Sequence, residues 1–235
     1  MSSEPTPPQD AADEPIDAAE HARGLALERS RRLGQLDAMR SAGTNPYPYR
    51  FDRTHTLADI RQEFGALEAA TETEVHVEVA GRMLLKRDQG KLIFASLRDR
   101  DGDIQLFVSK AIVGDELFDA INALDLGDWV GVSGLVMTTR KGELSIKVNT
   151  LVLLAKAVRP LPDKWHGLTD PDTRYRQRYA DLISNDEARR AFAIRHAIIA
   201  SFRKTLSAKS FIEVETPVLH AEAGGAHARP FNTHH

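Results

Sequence analysis

Phe94 and Gln105 attract attention because an aromatic ring can stack on a planar group and an amide can both donate and accept hydrogen bonds. Both lie in the stretch KLIFASLRDRDGDIQLFV, in which alternating residues flank a turn rich in Asp and Gly, as in a half-buried β-hairpin. The alternating positions are Leu92, Phe94 and Ser96, followed by Ile104, Leu106 and Val108. An aromatic beside polar groups can hold and read a nucleobase, and the plain alternative is a packed hairpin with a charged face.

Basic residues outnumber acidic ones around this hairpin. Residues 81–110 hold seven Lys or Arg and four Asp, although the whole chain has a net charge of −3. Such a surface could follow a phosphate backbone, or it could be ordinary solvated surface. Residues 1–20 contain six acidic residues and no Lys or Arg, in a background of Pro, Ala and Ser, so we expect a disordered tail over residues 1–22.

Length and composition favour a soluble globular protein. The chain has 235 residues, 42% of them hydrophobic, which is enough to bury a core in one or two domains. It contains no cysteine, which excludes disulfides and thiolate metal sites within these residues. We find neither an apolar run long enough to span a membrane nor a signal peptide, so we expect a cytoplasmic location and no membrane partner.

The pattern between residues 73 and 155 predicts a five-stranded OB-fold barrel. Residues 23–72 come first and read as a helix, an extended Pro-containing connector and a second short helix. Five strand-like segments follow, with a short amphipathic helix, GDELFDAINAL, between the third and the fourth. Gly81 and Gly134 fall where a small closed sheet needs bends. This order is that of the OB-fold, whose second and third strands often bind oligonucleotides, so the hairpin above becomes the expected binding face.

A second region follows the barrel. Residues 156–184 form a Pro-containing linker that ends in an Arg- and Tyr-rich segment, which alone could be a solvated helix. The spacing of Ser184 and Glu187 predicts a capping box at the start of a long amphipathic helix. The segment FIEVETPVL then reads as a short strand halted by Pro217. The predicted apolar face of the helix consists of Ala188, Phe192, Ile199, Phe202 and Leu206.

Three segments, in order behind the barrel, resemble those of bacterial class II lysyl-tRNA synthetases. They are RPLPDKWHGLTDPDTRYRQRYADLISN, FIEVETPVL and GGAHARPFNTHH, and the resemblance runs from about Leu33 to His235. Aspartyl- and asparaginyl-tRNA synthetases share this architecture, but the segments LPDKWHG and RYRQRYADL resemble those of the lysyl-tRNA synthetases. The resemblance implies a mainly β protein with α, in which the barrel is followed by the start of a class II α+β catalytic domain at residues 185–235.

Carried over to matching positions, the resemblance implies an anticodon-binding set of Arg87, Phe94, Gln105 and Glu143. Phe94 would stack on a base of the U-rich triplet of tRNA-Lys, and the other three would contact bases. The alternatives are a core aromatic for Phe94 and solvated charges for Arg87 and Glu143.

The same resemblance extends to the region behind the barrel. Pro217 matches the signature proline of motif 1, whose helix and strand form the homodimer interface in the family. Gly224 matches a glycine that contacts lysine, although a Gly-Gly pair is more often a turn. The adjacent His234 and His235 have no carboxylate partner and do not predict a metal site.

The family activates lysine with ATP and Mg²⁺ and transfers it to tRNA. Its ATP-binding motifs 2 and 3 lie downstream of the THH at which this sequence stops, and no other nucleotide loop is present in it. We therefore expect these 235 residues to contain no catalytic residue, not to bind ATP or Mg²⁺ productively and to be inactive alone. Three hypotheses remain open. The chain is the N-terminal portion of a lysine–tRNA ligase, a short tRNA-binding protein without ligase activity, or a structural partner that pairs with a longer subunit.

Overall fold

A computed structural model describes residues 18–162, 167–217, 231 and 233. The chain divides near Pro162 into two compact units, which are considered separately. Residues 1–17, the larger part of the predicted disordered tail, lie outside the described residues. Across the described ranges, no helix is both long enough and apolar enough to span a membrane.

The first unit is built on a closed barrel of five strands, which confirms the predicted fold. The strands pair in the order β1-β2-β3-β5-β4, and every pairing is antiparallel except that of β3 with β5. The reversals that lead into and out of β2 are short, and the second is the predicted turn rich in Asp and Gly. The strands are β1 (Glu72–Asp88), β2 (Leu92–Arg98), β3 (Asp103–Ser109), β4 (Trp129–Thr138) and β5 (Leu144–Ala155).

Two glycines allow the strands to bend tightly enough to close. A Cβ added at Gly81 would lie 2.6 Å from the carbonyl oxygen of Arg98 on β2. At Gly134, where the pairing of β4 with β5 shifts register, a Cβ would overlap the carbonyl oxygen of Lys147. Both positions therefore exclude a side chain because a neighbouring backbone occupies its space.

Two helices complete the core of the barrel. Helix α2 (Leu57–Phe64) begins with a capping box between Thr56 and Asp59 and buries three apolar residues in the same cluster as the strands. Helix α3 (Lys110–Asn122) lies between β3 and β4, as predicted, and buries Phe118 and Ile121. The helix was predicted to begin at Gly114, but it begins at Lys110. Gly114 has a φ of 79° and interrupts the helical backbone.

Helix α1 (Ala18–Ser41) attaches to the barrel through buried charges. It begins within the segment predicted to be a disordered tail. The Arg32 guanidinium is buried and donates hydrogen bonds to the carbonyl oxygens of Leu126 (3.0 Å) and Ala157 (3.1 Å). Beside it, the fully buried Lys156 ammonium lies 2.9 Å from the Asp128 carboxylate. A buried guanidinium needs such acceptors, so the Arg32 hydrogen bonds fix where α1 sits on the barrel, while Lys156 and Asp128 compensate each other.

In its described residues, the second unit contains three helices: α4 (Pro171–Arg176), α5 (Arg178–Ser184) and α6 (Asp186–Ala208). The buried Asp181 carboxylate accepts hydrogen bonds from Arg174 (3.0 Å) and Arg178 (2.6 Å), which ties α4 to α5. The predicted linker over residues 156–184 therefore contains two ordered helices. The long third helix, α6, agrees with the predicted amphipathic helix.

Two predictions for this unit are wrong. Asn185, not Ser184, caps α6: its side chain accepts a hydrogen bond from the amide of Ala188, while the Ser184 hydroxyl donates to the carbonyl of Ala180. Residues 211–217 do not form the predicted strand, because a strand is defined by its pairing and none of the described residues pairs with this segment.

We predict that Gly134→Ala lowers the free energy of unfolding of the barrel by about 1–3 kcal/mol, because the new methyl group must push β4 and β5 apart. Gly102→Ala is the matched control: no atom lies within 4 Å of its added Cβ, and its effect should stay within about 0.5 kcal/mol. Urea denaturation of both variants measures the difference. Equal stabilities would mean that closure does not depend on backbone contact at Gly134.

Candidate nucleic-acid interface

The two-residue period of β2 and β3 decides which side chains face outward. In the β2–β3 pairing, Ile93 is opposite Val108, and the next inward pairs are Ala95 with Leu106 and Leu97 with Ile104. All six of these residues are buried in the barrel. The sequence interpretation that placed Leu92 and Phe94 in phase with the buried alternation is therefore wrong, and Phe94 lies on the outer face.

Two rows of side chains lie on the outer side of the barrel wall, and of their members Ser145 is fully buried there. The first row runs Arg87, Phe94, Phe107 and Lys147 across β1, β2, β3 and β5. The second runs Leu85, Ser96, Gln105 and Ser145 across the same strands. Side chains directly opposite on neighbouring strands point to the same side, so each row is a line of adjacent groups. Three of the predicted site residues, Arg87, Phe94 and Gln105, thus lie together on one surface.

Phe107 is a site residue that the sequence interpretation missed. Its ring meets that of Phe94 edge to face, with the centroids 5.5 Å apart and the planes inclined by 65°. Such pairs are worth about 0.5–1.5 kcal/mol beyond their buried area, so Phe107 restrains the Phe94 ring. The available signal was its position two residues after Gln105, which places both on the same face of β3.

Gln105 is held by a chain of two hydrogen bonds. Its Nε2 donates to the hydroxyl of Ser145 at 2.9 Å, and that hydroxyl donates to the carbonyl oxygen of Glu143 at 3.0 Å. Ser145 is fully buried, while Glu143 is exposed in the turn between β4 and β5. The Glu143 carbonyl also accepts the amide of Thr139 at 2.9 Å, which fixes this turn.

All four predicted residues line one surface cavity. Arg87, Phe94, Gln105 and Glu143 surround a cavity of about 810 Å³, together with Phe107. The same four residues also line an adjoining cavity of about 140 Å³. The structure therefore brings together an aromatic face, a held amide, a carboxylate and a guanidinium around one space.

Not all of the seven Lys and Arg residues counted in residues 81–110 line these cavities. Arg82 donates to the carbonyl of Gly127 at 2.8 Å, and Lys86 donates to the carbonyl of Leu124 at 2.6 Å. Burial lowers the pKa of Lys86, although nearby Asp carboxylates oppose this shift. These two cations stabilise the barrel and do not line the cavities, whereas Arg87 does.

Three cations from outside the counted stretch also line the cavities. Arg140 and Lys141, in the turn after β4, border the larger one. Arg61, on α2, borders the smaller one, and its Nε donates to the carbonyl of Asp103 at 2.7 Å. Because this bond fixes the guanidinium at one nitrogen, the amino groups of Arg61 are held at the rim of the cavity.

The second unit carries a separate apolar surface. Side chains of α6 and of residues 211–214 are exposed, with Phe202 at 65% and Ile212 at 85% of full exposure. A cavity of about 340 Å³ lies between α6 and this segment, lined by Ile199, Phe202, Leu206 and Phe211 among others. Pro217 lies at the end of the described segment, and Gly224 and the terminal His pair lie outside the described residues. Within the described ranges, no three His, Asp or Glu side chains cluster as a metal site.

Comparison with known families agrees with the two units. Residues 77–154 match the family model for the OB-fold nucleic acid binding domain, and residues 170–235 match that for class II tRNA synthetases (D, K and N). The first match covers almost the whole barrel, including β2, β3 and most of β5.

Curated relatives are similar over most of the chain. A protein named lysine–tRNA ligase from Enterococcus faecalis is 50% identical over 206 residues, which are 87% of this chain and 41% of the relative. Those from Lactococcus lactis and Streptococcus pneumoniae are 48% and 46% identical, covering 87% and 93% of this chain and 42% and 44% of the relatives. The chain therefore spans about two-fifths of the length of these relatives.

We predict that Phe94→Ala lowers the free energy of unfolding by less than about 2 kcal/mol, because the ring lies outside the core and loses mainly its contact with Phe107. Leu106→Ala, on the adjacent strand, removes a fully buried side chain and should cost about 2–5 kcal/mol. Denaturant melts of the two variants give the comparison. A loss for Phe94→Ala as large as that for Leu106→Ala would identify Phe94 as a core residue.

Proposed function

Because this chain belongs to the class II lysyl-tRNA synthetase family, we propose that its barrel binds the anticodon loop of tRNA-Lys. We also propose that the whole protein is a cytoplasmic lysine–tRNA ligase, which activates lysine with ATP and Mg²⁺ and transfers it to that tRNA. In this reaction the barrel supplies recognition and the class II domain supplies chemistry. Gly224, the proposed lysine contact, lies outside the described residues.

The observation that carries the proposal is the convergence of Arg87, Phe94, Gln105 and Glu143 on one cavity of the barrel. Unpaired bases of an RNA loop can be splayed out, stacked on an aromatic ring and read by hydrogen bonds at their edges. Phe94 offers the ring, and Gln105 and Glu143 offer edge contacts at its side. Phe94 is half-buried on the outer face of the barrel, between polar groups that could contact the edge of a stacked base.

The cations around the cavity support RNA as the ligand. Arg87 lines both cavities from β1, Arg140 and Lys141 line the larger one from the turn after β4, and Arg61 lines the smaller one from α2. They surround the stacking face on several sides, where the sugar-phosphate backbone of a splayed loop would pass. Such contacts supply affinity and register, while the amide and the carboxylate supply sequence preference.

We predict that Phe94→Ala weakens binding of a tRNA-Lys anticodon stem-loop by about 1–3 kcal/mol, the usual value of one base stacked on one aromatic side chain. Tyr49→Ala is the matched control, because Tyr49 is a fully exposed aromatic that lines neither cavity. Fluorescence anisotropy with a labelled stem-loop, alongside a melting curve, measures both variants. Unchanged affinity in folded Phe94→Ala protein would refute stacking at this position.

For the second unit we propose a homodimer, formed through α6 and the segment that ends at Pro217. The exposed apolar groups of this unit, among them Ile199, Phe202 and Ile212, form a larger apolar surface than scattered single residues would. The segment at 211–217 also has backbone groups available for pairing with another chain, which the family's motif 1 uses. Covering both at once is what a twofold contact between copies would achieve.

We predict that this protein sediments as a dimer at micromolar concentration and that Phe202→Glu shifts it to monomer, because a carboxylate would have to be buried. Lys204→Glu introduces the same carboxylate on the same helix, at an exposed residue that does not line the apolar cavity, and should leave the dimer intact. Analytical ultracentrifugation distinguishes the species. A folded wild-type monomer, or aggregation without a defined dimer, would contradict the proposal.

A further inference from the structure

We propose that Ser145 is a positioning residue, which fixes the side-chain amide of Gln105 with its Oε1 available to the cavity. A base with a ring N–H donor, such as uracil, is then preferred over a base whose ring nitrogen is an acceptor, such as cytosine. This inference deepens the proposed anticodon binding and rests on it. It assigns a role to a buried residue that touches no RNA.

The direction of the hydrogen bonds follows from the single proton of a hydroxyl group. Ser145 uses its proton toward the carbonyl oxygen of Glu143, at 3.0 Å. Its oxygen can then only accept from Gln105, so the amide atom at 2.9 Å must be Nε2. A flipped amide would bring Oε1 against an oxygen with no proton to offer, which is unfavourable.

The position of Ser145 makes this restraint persistent. It is paired directly with Gln105 in the parallel contact of β3 with β5, so the backbone sets the distance between the two side chains. Its side chain is fully buried, and a flip of the amide would leave the Ser145 oxygen without its donor where water does not enter. The Gln105 amide therefore has the same orientation whichever base binds.

The consequence is a preference between bases. With one Nε2 proton committed to Ser145, Oε1 accepts no hydrogen bond from any described residue, and the Gln105 side chain lines the cavity beside Phe94. Uracil offers N3–H at its Watson–Crick edge and can donate to this oxygen, whereas cytosine offers a lone pair at N3. A fixed acceptor thus distinguishes two pyrimidines of the same size that stack equally well on Phe94.

The experiment measures binding of stem-loops in which each uracil of the anticodon triplet is replaced, one at a time, by cytosine or by N3-methyluracil. At one position, the wild-type protein should bind each substituted loop at least about tenfold more weakly, as expected for a good edge contact. In Ser145→Ala, the affinities for the unsubstituted loop and the loop substituted at that position should differ by no more than about threefold. Ser133→Ala, a serine on β4 that lines neither cavity, should keep the wild-type penalty.

A double-mutant cycle separates positioning from a general structural effect. In a Gln105→Ala background, Ser145→Ala should change the uracil preference no further, because the amide it orients is absent. A Ser145→Ala protein that melts like wild type and keeps the full penalty would overturn the inference. So would an equal loss of preference caused by Ser145→Ala in both backgrounds.

The orientation of the Gln105 amide can be tested in the free protein, independently of whether the barrel binds RNA. In the NMR spectrum of the free protein, the Gln105 side-chain NH₂ protons should show an NOE to the Ser145 β protons. Absence of that NOE overturns the fixed orientation even if RNA binds. Presence of the NOE, with no stem-loop binding by wild type, would instead overturn anticodon binding, and with it the base preference.

Discussion

The constraint on which the interface depends is the register between β2 and β3. Because successive residues of a strand face opposite sides, burying Ile93, Ala95 and Leu97 against the core forces Phe94 outward. The same register forces Gln105 and Phe107 outward on β3. A slip by one residue would bury the aromatic ring and the amide and expose the core. The apolar interior therefore determines which side chains face outward, and contacts such as that of Ser145 with Gln105 then orient them.

The charged groups of the barrel divide into two kinds with different tasks. Lys156, Asp128 and Arg32 are buried and join α1 and the end of β5 to the barrel. They are satisfied inside the barrel and do not line the cavities, and removing Lys156 would leave the Asp128 carboxylate buried without its cation. Arg61 and Arg87 remain at the cavities, where a phosphate could approach them. The net charge of −3 for the whole chain therefore does not indicate the sign of the charge around the cavities.

Much of the fold followed from the sequence because alternation and turn residues act locally. The five strands, the helix before β4 and the long α6 were predictable in this way. The phase of β2 was not, because Leu92 to Ala95 are all apolar and either alternate set could face the core. Only pairing with β3, where Ile104, Leu106 and Val108 are spaced by polar or aromatic residues, decides it.

Other features depend on contacts that a sequence does not display. Ser184 and Asn185 are both good cap residues, and their relative positions in the chain do not decide between them. A strand at 211–217 requires a partner, which no described residue supplies. The role of Ser145 required knowing that β5 runs beside β3, since forty residues separate Ser145 from Gln105. The family resemblance located the four predicted site residues, but the geometry was needed to add Phe107, Arg61 and Ser145.

The central claim is that the outer face of β2 and β3 binds unpaired bases, with Phe94 as the stacking ring. The most direct test is an NMR titration of protein labelled in its phenylalanine rings with a tRNA-Lys anticodon stem-loop. If Phe94 stacks on a base, its ring signals should shift upfield and show NOEs to pyrimidine H5 or H6 protons, while those of the buried Phe64 and Phe118 stay in place. Saturable binding without any NOE from Phe94 to a base would contradict it.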